Sequence, residues 1–337
     1  MPDAEDYADA VAQRRSRAAD FPRTERPTIA LVSDQPDLPM LGVLTDAGWS
    51  VTGVLAADVF DGLLWAAQSP GVARNYLDLP DLLSDPSLDA CCLSLPAAGM
   101  GPVLVATLQA GLHTLLPEPA ELGADTVRRA LEAAEDSGAE HAVAMQQRWR
   151  APVATVARAL DSGRLGPPAQ LTVRGWPTGA APTAELLDVV TRWCGDVVAV
   201  CASPEELPAR ELPGGATVRW ALLTASGATV LVAHDGAGAP LMRLSCPQGR
   251  VEVEAGPGDG TLDGPADLPA LPAEPTRTDG LRSTASRLAE AVIRSEGVAA
   301  PYDGWPWPST LRDLFVVERI REALRSSAAE RRWIETA

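Results

Sequence analysis

Every one of the 28 basic residues in this 337-residue chain is an arginine. No lysine is therefore present to act as an acid, a base or a Schiff-base former. The thiols are Cys91, Cys92, Cys194, Cys201 and Cys246. They form no C-x-x-C pair and no His/Cys cluster with zinc spacing, so no metal site is expected and they read as reduced core residues. The histidines His113, His141 and His234 lie far apart in sequence and mark the ends of predicted strands, which is a structural pattern. The turn after the first predicted strand is more telling. A dinucleotide fold needs G-x-G-x-x-G there, so that backbone approaches the pyrophosphate and helix N–H groups point at it. This chain reads Ser33-Asp34-Gln35-Pro36-Asp37-Leu38. Ser33, Gln35 and Leu38 stand where the glycines belong. Gln35 puts a side chain in the phosphate space, and Asp34 and Asp37 put negative charge beside it. The acid that would hold a ribose hydroxyl is expected at the end of the second strand, where the letters are Ala56-Ala57-Asp58. Asp58 falls slightly late and reads as the cap of the next helix.

These residues must be positioned by a strand–helix alternation. Thr28–Val32 and Val51–Leu55 are the first two strands. Leu88–Leu95 is a short apolar run closed by Pro96, as a buried parallel strand should be. Val103–Ala110 is helical and Gly111 ends it as a C-cap glycine does. Leu112–Leu116 is the next strand, stopped by Pro117 and Pro119. A helix over Gly123–Gly138 and a strand over His141–Met145 follow, and a helix over Pro152–Gly163 comes after a turn. Beyond it the pattern changes to strand runs at 170–176, 197–202, 216–223, 228–234, 240–245 and 250–254, separated by Gly-rich turns. Glu185–Cys194 is a helix among them. Val218, Trp220 and Leu222 alternate onto one face, with Ala221 and Leu223 on the other. Residues 256–279 read as an irregular loop, and 281–295 and 309–327 as closing helices.

The stretch Asp85-Pro86-Ser87-Leu88-Asp89-Ala90, with Ser94-Leu95-Pro96, Ala110-Gly111-Leu112-His113 and Pro117-Glu118-Pro119, carries a resemblance. It is similar to the segment "DpdvDaVviatPn..H...a..AL.aGkHVlcEKP" of the glucose–fructose oxidoreductase / inositol dehydrogenase family (Gfo/Idh/MocA). Gln146-Gln147-Arg148-Trp149 resembles that family's turn between domains, and Arg164-Leu165-Gly166 the end of the helix after it. The resemblance spans about residues 28–330 in consistent order. It implies α/β plus α+β architecture: a Rossmann-like, doubly wound parallel sheet, then a mostly antiparallel open sheet with helices. The expected segments are an arm at 1–27, a Rossmann-like domain at 28–146 and a C-terminal sheet domain at 147–337.

The same resemblance marks site positions. The family's catalytic lysine falls on Glu118, its histidine on Glu185 and its aspartate on Ala181, while Asp188 survives. Hydride transfer from an alcohol needs a base for the hydroxyl proton and a cation for the developing alkoxide. Glu118 has the wrong sign for the second task. The expectation is a pseudoenzyme with no cofactor, assembling through its C-terminal sheet with itself or with an active relative. A second reading is a cofactor-independent acid/base enzyme on a sugar-like ligand, with Glu118, Glu185 and Asp188 as candidates, since two carboxylates in different environments can divide acid and base roles. A third is an atypical NAD(P)-dependent sugar or polyol dehydrogenase, in which Ser33, Asp34 and Gln35 would be the cofactor turn.

The net charge of −17 argues against nucleic acid and anionic membrane as partners. No apolar run approaches the roughly 20 residues needed to span a bilayer, and the polar first 27 residues lack a signal-peptide core. A cytoplasmic location is the expectation. The aromatic run Tyr302-Asp303-Gly304-Trp305-Pro306-Trp307-Pro308 reads as a rigid loop, with a lid or an interface anchor as its functional alternative.

Overall fold

The run Thr28–Ser33 is buried along its whole length, because an apolar strand without polar alternation must be covered on both faces. In the computed structural model it is β1, the centre of a six-stranded sheet with β2 (Ser50–Ala56), β3 (Arg74–Asn75), β4 (Ala90–Ser94), β5 (His113–Leu116) and β6 (His141–Val143). The order is β3-β2-β1-β4-β5-β6 and every pairing is parallel. The structure describes residues 9–12, 26–35, 38–69, 71–176, 182–202, 217–234, 240–254, 262–265, 277–294 and 308–336. Asp37, Ala181, residues 302–307 and most of the arm lie outside them, as does the side chain of His234.

The helices on this sheet are α1 (Leu38–Asp46), α2 (Val59–Gln68), α3 (Leu79–Leu83), α4 (Ala97–Gln109) and α5 (Ala124–Ser137). Asp58 directly precedes α2. Gly111 sits at φ +75, the left-handed position beyond the end of α4. That helix starts at Ala97, six residues before the expected Val103, and keeps Pro102 inside. A Cβ at Gly101 would meet Thr126 Cγ2 at 2.9 Å, so the glycine there permits close packing of α4 on α5.

Two aspartates of the central stretch fasten this sheet. Asp85 accepts from Ser87 N (2.9 Å), Ser87 Oγ (2.6 Å) and Tyr76 Oη (2.6 Å), and pairs with Arg74. Asp89 accepts from Thr28 N at 2.8 Å, tying the start of β4 to the start of β1. The two structural histidines act in the same way. His113 Nδ1 accepts from Glu140 N at 2.8 Å and His141 Nδ1 from Leu311 N at 3.3 Å. Burial pushes the His141 pKa down to about 4, which keeps it a neutral acceptor.

The second sheet runs β13-β12-β11-β7-β10-β9-β8-β14. Its strands are β7 (Gln170–Arg174), β8 (Val197–Ala202), β9 (Thr217–Thr224), β10 (Thr229–His234), β11 (Leu241–Cys246), β12 (Gly249–Glu254), β13 (Leu262–Asp263) and β14 (Ile334–Glu335). Only β7 and β10 pair in parallel; the other pairings are antiparallel. Leu171, Val173, Leu222, Val230, Val232, Met242, Leu244, Val251 and Val253 are buried on one face. Two sequence expectations need correction. Leu262–Asp263, read as loop, is a strand paired to Glu252 and Val253. Val218 is not on the face of Trp220. Trp220 pairs with Val232 but Val218 with Ala233, so the register shifts by one and Val218 crosses to the other face.

The chain divides into two compact units. Unit 1 is Met1–Met145 with Arg277–Phe315; unit 2 is Gln146–Thr276 with Val316–Ala337. Unit 2 adds the helices α6 (Ala151–Asp161) and α7 (Ala184–Cys194) to its sheet. The late helix α8 (Arg277–Arg294) belongs to unit 1, where Leu281, Ala285 and Leu288 join the core of α1 and β2. The final helix, α9, is Leu311–Glu330. Among the described residues no helix is long and apolar enough to cross a membrane, and no group of three or more His, Cys, Asp or Glu residues is placed to hold a metal ion.

Trp49 locks α8 in place: it is 1% exposed, and its Nε1 donates to Ala285 O at 2.9 Å. Trp49→Phe should cost about 1 kcal/mol for the lost hydrogen bond. Trp49→Ala should cost about 3–5 kcal/mol for the cavity. Urea denaturation measures both. A loss below about 1 kcal/mol for the alanine variant would show that α8 does not depend on this contact.

Candidate functional site

In an open parallel sheet, ligands bind outside the carboxyl ends of the strands where the order reverses. In unit 1 that reversal lies between β1 and β4. A crevice of about 260 Å³ opens there, lined by Asp34 after β1, Ser94 and Leu95 at the end of β4, Met100 on α4, and Pro117 and Glu118 after β5. Its lining among the described residues holds two carboxylates and no arginine or histidine.

The turn after β1 closes on itself. Ser33 is 2% exposed, its Oγ donates to Gln35 O at 2.8 Å, and the same Oγ accepts from Gln35 N at 3.3 Å. This is the local hydrogen bonding that a serine offers a backbone. It turns the Gln35 N–H, one of the groups a glycine-rich turn would present to an anion, toward a side chain. Gln35 itself is exposed. Ser33, Asp34 and Gln35 are thus together at the position the sequence assigned to a cofactor turn, and Glu118 shares the crevice with Asp34.

Glu185 and Asp188 lie in unit 2, one turn apart on α7. Thr183 caps that helix, accepting from Leu186 N at 3.3 Å, and is held by Trp176 Nε1 at 2.9 Å. An acid in the first turn suits the helix dipole. The carboxylate of Glu185 accepts from Gln146 N at 2.8 Å through one oxygen and from Gln147 N at 2.9 Å through the other. Asp188, with no exposed surface, receives both Nε (2.7 Å) and Nη2 (2.5 Å) of Arg148. Such a fork-to-carboxylate pair is among the stronger side-chain contacts. Burial pushes the Glu185 pKa up to about 7, opposed by the N–H groups of Gln147 and Gln146. Nearby Asp188 raises it further and Arg148 lowers it.

α7 therefore grips the short 3₁₀ turn Gln146–Trp149 with two acids. The resemblance marked the acids and the turn separately. The pairing of Arg148 with Asp188 was missed, although an arginine in the turn and an acid on the helix were both visible. Cys194 and Cys201 are buried, and burial lifts the Cys194 thiol to about 12, so it is inert as a nucleophile.

No protein-family model matches the chain. Solved structures do. Aldose-aldose oxidoreductase from Caulobacter crescentus, complexed with glycerol, superposes with TM-score 0.72 at 16% identity, over 92% of this chain and 100% of that one. Levoglucosan dehydrogenase in complex with NADH and L-sorbose gives TM-score 0.70 at 14% identity, over 93% of this chain and 100% of that one. An oxidoreductase from Agrobacterium radiobacter, in complex with NAD+, L-tartaric acid and magnesium, gives 0.69 at 16%, over 93% and 99%. The chain's structural neighbours are Gfo/Idh/MocA-type oxidoreductases, and their fold is its fold: a parallel six-stranded sheet followed by a mostly antiparallel one.

Proposed function

We propose that this chain is an oxidoreductase-fold protein that transfers no hydride: a non-catalytic scaffold or partner subunit. The observation that carries the reading is the Glu185 carboxylate, whose two oxygens each hold a backbone N–H. At the position where the resemblance expects a catalytic histidine stands a carboxyl group engaged by the backbone. Its neighbour Asp188 is equally engaged, on Arg148. Glu118, in the lysine's place, brings negative charge where an alkoxide would need positive. The crevice of unit 1 does not fit a dinucleotide, because its turn lacks the glycines and its lining carries two carboxylates, so no step is routed through NAD(P).

The partner is a second copy or an active relative, met by the outer face of the second sheet. Val218, Leu223 and Leu231 lie on that face, where Val218 and Leu231 pack on buried Ala233 and Leu223 is 38% exposed. The free thiols suit a reducing compartment, the cytoplasm. A second reading rests on the same Glu185: a carboxyl group titrating near neutral suits acid–base work on a sugar-like ligand without a nicotinamide.

Purified protein should turn over none of a panel of polyols and aldoses with NAD+ or NADP+, and light scattering at micromolar concentration should give a dimer or larger species. Nicotinamide-dependent turnover would overturn the non-catalytic reading, and a strict monomer would remove the assembly face. A redox-neutral change of a sugar that Glu185→Gln abolishes would establish the second reading instead.

Glu185 also sets a pH dependence. An unfolded glutamate titrates near 4.5, whereas burial raises the folded group to about 7. The folded protein binds this proton more tightly, so the group's contribution to stability is fully present below about pH 4.5 and is lost as pH rises through about 7. Between pH 5 and pH 8, the stability of wild type relative to Glu185→Gln should fall by on the order of 2 kcal/mol in urea denaturation. Parallel profiles for the two proteins would contradict the burial of this carboxyl.

A further inference from the structure

We infer that the switch-point crevice of unit 1 is shut to dinucleotides by Asp34 and Glu118, which line it, and by Ser33 in the turn beside it, whose hydroxyl takes an N–H that an anion would otherwise use. The inference deepens the non-catalytic reading and rests on the fold it assigns. Three observations converge.

The first is the supply of donors. A pyrophosphate is held by N–H groups left open at the turn and at the helix behind it. The Gln35 N–H is taken by Ser33 Oγ at 3.3 Å, and Ser33 is fixed in turn because its hydroxyl donates to Gln35 O at 2.8 Å.

The second is charge. Asp34 and Glu118 reach the same crevice from β1 and β5, on the two sides of β4. A doubly negative pyrophosphate placed between them meets like charge from both sides. At partly screened distances of several ångströms, each carboxylate should lower affinity about tenfold.

The third is room. The crevice holds about 260 Å³, under the roughly 300–1,000 Å³ of ordinary small-molecule pockets.

The experiment is a titration of NADH into the full-length protein at low salt, followed by energy transfer from tryptophan to the nicotinamide and checked by calorimetry. Wild type should show no saturation up to millimolar NADH. Asp34→Asn with Glu118→Gln should gain at least tenfold in affinity, and adding Ser33→Gly and Gln35→Gly should gain further. Each variant is compared with wild type by circular dichroism and melting temperature. If the four-residue variant does not fold, the carboxylate pair alone decides. Micromolar binding by wild type overturns the inference, as does a folded double variant that binds no better. The outcome separates from the fate of the non-catalytic reading. Wild type that binds NADH without turnover sinks only the closed crevice. Wild type that ignores NADH yet converts a sugar sinks only the non-catalytic reading.

Discussion

The structure depends most on what its carboxylates hold. A carboxylate taken out of water must be matched by donors or by a cation, or it will not stay there as an anion. Asp188 meets this rule with the fork of Arg148, Asp89 with Thr28, and Asp85 with Ser87, Tyr76 and Arg74, while the two backbone N–H groups on Glu185 oppose a burial that still lifts its pKa to about 7. In unit 1 these bonds tie β4 to β1 and to the loop beside β3. In unit 2 they clamp the first residues of the unit onto α7. Asp85 and Asp188 are the buried pair members among them, and removing the partner of a buried acid typically costs about 3–5 kcal/mol.

Such pairing bears on how an oxidoreductase fold can carry acids at positions where the resemblance expects a lysine and a histidine. A hydride-transfer site needs groups free to gain and lose protons and a positive charge facing the substrate oxygen. Here Arg148 is committed to Asp188, and the chain has no lysine at all. The crevice of unit 1 follows the same logic on a smaller scale. Its turn is satisfied by Ser33 rather than left open for an anion. On the proposed reading, the molecule keeps the parts of the fold that make a sheet and a crevice, and its internal contacts take the place of a cofactor's.

Much of this was legible in the letters. The apolar strands of the first sheet, Gly111 beyond α4 and the aspartates of the central stretch predicted a doubly wound domain, and it is there. That the turn after β1 carries no glycine was equally plain. What was not legible depends on distant partners. A register shift between Val218 and Trp220 is set by their pairing with β10, so local alternation put Val218 on the wrong face. α8 packs in unit 1, more than two hundred residues after Trp49, which holds it. Asp85 and Asp89 read as letters of a resemblance, and only the coordinates show them as fasteners. Glu185 read as a candidate site carboxylate, and nothing local says that its oxygens meet Gln146 and Gln147.

The most direct measurement is a crystal structure of the full-length protein grown near neutral pH and soaked in millimolar NADH. The account predicts Glu185 within about 3 Å of the Gln146 and Gln147 nitrogens, Arg148 on Asp188, and no nicotinamide in the crevice of Asp34 and Glu118. An ordered dinucleotide in that crevice, with Glu185 released from the two backbone N–H groups, would contradict it.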